Sequence, residues 1–151
     1  MSTDLIVNSR PISIKIEKPF FVTTPMLGLV AITQRVLLSS EFLITPETGS
    51  YDIFDAEGKW QYQTIPGIWI DIGQRSKSIQ PGKIRYDDRA GISIVTPGKI
   101  RIDALFDNLT IKQVYRFRLC IRLLQDGQSA HMTGAMSVQS LDPTLATALR
   151  N

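Results

Sequence analysis

Residues 114–124, VYRFRLCIRLL, constrain this chain more than any other stretch. Taken with a period of two, Tyr115, Phe117, Leu119, Ile121 and Leu123 share one face of an extended strand. Arg116, Arg118, Cys120 and Arg122 share the other. One face requires a core, and the other requires water or an acidic partner. Eleven residues are about twice the usual strand length, so the pattern predicts a long strand to which the others are registered.

A chain of 151 residues fits one domain, here 1–151, that can bury roughly two-thirds of its unfolded surface without disulfides or metals. Its 43% hydrophobic and 21% charged residues are those of a globular protein. The longest apolar runs, such as 26–32, are too short for a membrane helix, so no membrane partner is expected. The start MSTDLIVNSRP lacks a basic segment leading into an apolar run, which predicts cytoplasmic synthesis. One cysteine, Cys120, cannot form an internal disulfide, and Asn108-Leu-Thr110 then reads as a sequon by coincidence.

Along the chain the signals are those of strands and turns. Ile12, Ile14 and Ile16 alternate with polar residues between Pro11 and Pro19, after a leader at 1–10 that reads as a candidate N-terminal arm. Residues 20–24 and 27–38 are rich in aromatic and β-branched residues, and Pro46 with Gly49 predicts a turn. YDIFD and KWQYQ flank Ala56-Glu57-Gly58, which predicts a hairpin closed by a three-residue loop. IWIDI should follow as a strand burying Ile68, Ile70 and Ile72, and GQRSKS as a polar loop.

PGKIRYD at Pro81 and PGKIRID at Pro97 repeat sixteen residues apart, each a Pro-Gly turn feeding a strand. The spacing predicts a meander: out along 83–88, around Arg89-Ala90-Gly91, back along 92–96, and out again along 99–106. HMTGAMSVQS adds a last strand, and Asp142-Pro143 predicts a short C-terminal helix over 142–150. Some nine strands without βαβ spacing predict an all-β, antiparallel β-sandwich, immunoglobulin-like or jelly-roll.

Groups for catalysis are sparse. The single histidine, His131, reads as a surface or turn residue, since one histidine cannot build a zinc site. No Gly-rich phosphate loop, Gly-x-Ser-x-Gly or Cys-x-x-Cys is present, so no cofactor and no metal are expected. Cys120 between Arg118 and Arg122 has two readings, an arginine-activated thiolate or a small filler, and the filler is the better supported. Asp52, Asp55 and Glu57 lack the spacing of a calcium loop and read as turn residues. Trp60, Tyr62 and Trp69 could stack a carbohydrate on an exposed platform, or fill the core.

Charge is more informative. Residues 1–74 carry five Lys/Arg against eight Asp/Glu, whereas 75–122 carry eleven against four, so a total of +3 conceals an acidic and a basic half. Arg85, Arg101, Arg116, Arg118 and Arg122 are the predicted interaction residues, since arginine outnumbers lysine in that segment and is enriched at protein interfaces. Nucleic acid is the less favoured partner, because few aromatic residues interleave the cations. The expectation is a non-enzymatic structural subunit of a homo-oligomer or larger assembly. A decoration, tail or accessory protein of a phage or virus-like particle is one such subunit, and a carbohydrate-binding module is the alternative.

Overall fold

The structure is a computed structural model that describes residues 7–17, 21–48, 53–125 and 127–141. Those residues form strands and connections only: β1 (Val7–Glu17), β2 (Val22–Thr23), β3 (Leu27–Val30), β4 (Arg35–Thr48), β5 (Ile53–Phe54), β6 (Ala56–Gln63), β7 (Ile70–Lys77), β8 (Gly82–Asp87), β9 (Ile92–Thr96), β10 (Gly98–Arg101), β11 (Ala104–Phe106), β12 (Val114–Leu123) and β13 (Ser129–Leu141). Every ladder is antiparallel, so the all-β, antiparallel expectation holds.

One five-stranded sheet has the order β1-β13-β4-β10, with β11 also on β4; a second has β2-β12-β6-β7, with β3 also on β12. A third, smaller sheet is β5-β8-β9. Strand β12 has the two faces its sequence predicts. Tyr115, Phe117, Leu119, Ile121 and Leu123 are buried, while Arg116, Arg118 and Arg122 are half-buried on the reverse. It lies inside its sheet, with β6 along one edge and β2 and β3 along the other.

Both five-stranded sheets feed one core. Ile12, Ile16, Phe42, Ile44 and Ile100 come from the first, and Trp60, Phe117, Leu119 and Ile121 from the second. Each such side chain contributes roughly 1.5–3 kcal/mol when fully buried. A polar tie crosses the core where β10 gives way to β11. The Ile102 carbonyl there accepts the Ser40 hydroxyl at 2.7 Å and the Trp60 indole N–H at 2.8 Å. A buried carbonyl and a buried indole thereby satisfy each other.

Several expected turns are strands. Ala56-Glu57-Gly58 closes no hairpin: all three lie in β6, with Glu57 opposite Arg122 and Gly58 opposite Ile121. A Cβ at Gly58 would stand 2.4 Å from Ile102 Cδ1, so the glycine permits close packing and does not make a turn. GQRSKS is no loop but the body of β7, whose polar side chains face out while its backbone pairs with β6. Of the three isoleucines assigned to that strand's buried face, Ile72 is buried and Ile68 and Ile70 are exposed. Residues 27–38 divide into β3 and β4 at a bend over 32–34. Strand β4 continues through Pro46 to Thr48, with a bulge in its pairing near Ser129.

Residues 7–10 of the candidate arm belong to β1 and pair with β13; residues 1–6 and the predicted helix at 142–150 lie outside the described residues. The meander is half right. Strands β8 and β9 form the predicted hairpin, but β10 leaves it to pair with β4. The two Pro-Gly turns instead lie against each other, since a Cβ at Gly98 would stand 2.3 Å from the Gly82 nitrogen. Gln80 and Lys99 exchange backbone hydrogen bonds beside them. The hairpin therefore begins and ends at one point of the body.

Candidate interaction surfaces

The arginine face of β12 meets its acidic partner within the chain. Glu57, only 7% exposed, lies across the ladder from Arg122 and accepts its Nε–H at 2.7 Å. Arg75 from β7 donates to the same oxygen at 3.2 Å. The Phe21 ring lies beneath three cations, with Arg122 at 4.6 Å, Lys59 at 5.2 Å and Arg75 at 5.3 Å from its centroid. Cation–π attraction and one shared carboxylate hold this end of the face together.

The other end is built around Gln61. Its carbonyl oxygen accepts Arg118 Nε–H at 2.9 Å and the Cys120 thiol at 2.9 Å, and its amide donates to Asp71 at 2.9 Å. That hydrogen bond, with the help of Lys59 at 3.1 Å, lowers the Asp71 pKa below its ordinary value of 3.8. Burial raises the Cys120 pKa above its ordinary 9.0, and the opposing pull of Arg118 and Lys59 is smaller. Desolvation outweighs the neighbouring cations, so the thiol stays protonated at neutral pH.

The five arginines named from sequence do not form one surface. Arg116, Arg118 and Arg122 lie on β12, Arg101 on β10 in the other large sheet, and Arg85 on β8. Arg101 is tied to Asp103 at 2.7 Å, and Arg118 covers Trp69 with its guanidinium 4.0 Å from the ring centroid. Arg116 and Arg85 have no ion-pair partner among the described residues. Arg116 lines a shallow groove with Asn8, Gly28, Val30 and Val114.

The aromatic platform is not assembled either. Trp60 is fully buried, because even positions of β6 point into the core. Tyr62, on the same face, packs against Phe106 with ring centroids 4.5 Å apart. Trp69 is half-buried, as Tyr62 is, and Arg118 covers its ring.

The signal that sequence reasoning missed lies on the β8–β9 hairpin. Tyr86 is 61% exposed, Ile92 56%, Val95 42% and Ile94 37%. Alternation predicts that Tyr86, Ile92 and Ile94 lie on buried faces, and the structure exposes all three. Strand β9 is the outer strand of its sheet, and all five of its residues, Ile92-Ser-Ile-Val-Thr96, are exposed. An apolar hairpin of this kind normally marks an interaction site.

His131 has a neighbour its sequence position did not reveal: Ser13 Oγ is 2.7 Å from its Nε2. Glu47 stands 3.9 Å from Nδ1, too far for a hydrogen bond. These residues lie on an open sheet face, where backbone N–H groups run in the plane of the sheet and do not converge above a hydroxyl. The arrangement assigns no reaction. Among the described residues no group of three or more His, Cys, Asp or Glu side chains is placed to hold a metal ion, and no helix is long and apolar enough to cross a membrane.

No family model matches the chain, and no curated protein matches it. Among solved structures, a similar chain occurs in "Structure of infectious bursal disease virus Gx strain", with 12% identity and a TM-score of 0.29 over 97% of this chain and 45% of that one. This chain thus spans less than half of that protein's length, and a likeness at this score carries no argument about fold or function.

Proposed function

We propose that the two large sheets form a β-sandwich and that the chain is a non-enzymatic structural subunit, joining other protein subunits in a larger assembly. A decoration, tail or accessory protein of a phage or virus-like particle is the assembly type in view. The observation that supports this reading is the β8–β9 hairpin, where Ile92 and Ile94 are exposed on one face and Tyr86 and Val95 on the other. Apolar side chains grouped on a projecting element favour a partner that covers them.

The arginine face has a smaller part in this reading than its sequence suggested. Arg122, Arg75, Arg101 and Lys99 each have a carboxylate within the chain, which removes charge that a nucleic acid would need. Of the five arginines named from sequence, Arg85 and Arg116 have neither a carboxylate nor an aromatic ring beside them among the described residues and are left to meet a neighbour. Sedimentation velocity from about 1 µM to about 500 µM tests the reading, a range that reaches weak as well as tight contacts. The mass should rise with concentration, and a monomer throughout would sink the proposal.

A further inference from the structure

Resting on that reading, we propose that the partner of the hairpin is a second copy of this chain, joined by antiparallel pairing of β9 with β9 about a two-fold axis at Ile94. Strand β9 ends its sheet, and its outer edge has no ladder partner among the described residues. An unpaired edge is a template for another strand, and folded proteins normally blunt such edges with charge or proline. Three outer strands of this fold do so. Strand β1 carries Pro11, Lys15 and Glu17, β7 carries Asp71, Arg75 and Lys77, and β10 carries Lys99 and Arg101. Strand β9 has neither a charge nor a proline, and three of its five residues are Ile or Val; the other outer strands without either, β2, β3, β5 and β11, are four residues or shorter.

The choice of a second copy follows from self-complementarity, which a two-fold interface requires. With Ile94 facing Ile94, Ile92 faces Thr96 of the other copy and Ser93 faces its Val95. No charged side chain falls on the seam. Within each copy Asp87 is opposite Ile92 and Lys83 is opposite Thr96. In the resulting six-stranded sheet each outer row holds Asp87 of one copy and Lys83 of the other, opposite charges, while the central row sets Arg85 of both copies outside the Ile94 pair. On the reverse face Ile84 is opposite Val95 and Tyr86 is opposite Ser93. Pairing joins these into a continuous stripe that carries Tyr86, Val95 and Ile84 across the seam. Backbone hydrogen bonds supply the attraction, and the side-chain rows fix the register.

The axis gives a test specific to one residue. Ile94→Cys should be linked into a covalent dimer by a short bismaleimide, because position 94 meets itself. Ile79→Cys, at an exposed residue outside the hairpin, should not be linked. The native Cys120 is buried and sets the background measured on the unaltered protein. Ile94→Lys, which adds to Arg85 across its own ladder, should weaken self-association roughly tenfold or more, and Ile94→Glu, which Arg85 compensates in part, should weaken it less. Mixing the two should restore it as a heterodimer, an outcome that misfolding cannot imitate. If the unaltered protein associates but Ile94→Cys links no better than Ile79→Cys, or Ile94→Lys associates undiminished, the β9 seam is wrong and the assembly reading stands. If the unaltered protein is monomeric throughout, both fall.

Discussion

Glu57 is the residue on which the arginine face depends. It is buried near the end of the β6–β12 ladder, and its carboxylate is what makes Arg75 and Arg122 tolerable at the edge of the core. Removing one partner of such a group leaves the other without compensation, whereas removing both leaves only a packing problem. Glu57→Ala should therefore lower stability by about 1–3 kcal/mol, the range for losing hydrogen bonds to charged groups. Glu57→Met combined with Arg122→Met should cost less than the sum of the single changes, as read from urea midpoints. Cys120 makes a second prediction on the same face. Its pKa is raised in the fold, so its contribution to stability is complete below the ordinary thiol value and declines as pH rises through the folded value. The native protein should resist thiol reagents at pH 8 until it is unfolded. Above about pH 9 it should lose stability relative to Cys120→Ala.

At the scale of elements, what could be read from sequence was whatever depends on a strand's own alternation. Strand β12 was legible because its apolar and basic residues alternate without interruption, and the β8–β9 hairpin because a repeated Pro-Gly marks its base. Strand β6 was misread because Ala-Glu-Gly has the composition of a turn. What makes it a strand is contact with Ile102 and Ile121, residues more than forty positions away. Strand β7 was misread because the outward side chains of an edge strand are polar for the same reason that loops are, and its ladder to β6 leaves no mark on composition. Strand β4 is longer than Pro46 suggested, since proline is tolerated close to a strand end beside a bulge. Arg118 and Arg122 were therefore visible as one face of a strand, but Glu57 was hidden inside a supposed turn. The alternation of β8 and β9 likewise could not say whether anything in this chain covers them.

Over the whole molecule, the acidic and basic halves of the sequence are interleaved by the fold. Glu57 meets Arg75 and Arg122, Glu41 meets Lys99 at 3.5 Å, and Arg35 meets Asp107 at 3.2 Å, each pair joining the first half to the second. Much of the charge that would drive head-to-tail packing of subunits is thus neutralised inside one subunit, and the hairpin is left as the most prominent unmatched feature. Its removal separates folding from association. Lys83 and Thr96 are cross-strand partners, so an Asn-Gly link between them can replace residues 84–95. Of the replaced side chains only Ile84 packs against the core. Unfolding of the shortened chain should remain one cooperative transition, with stability within about 2 kcal/mol of the full chain and a nearly unchanged urea dependence, because little buried surface has been lost. Self-association should disappear in the same samples when they are measured by sedimentation. A shortened chain that folds and still associates would move the contact to another surface, with the groove beside Arg116 as the next to alter. One that cannot fold would show that the hairpin stabilises the body it projects from.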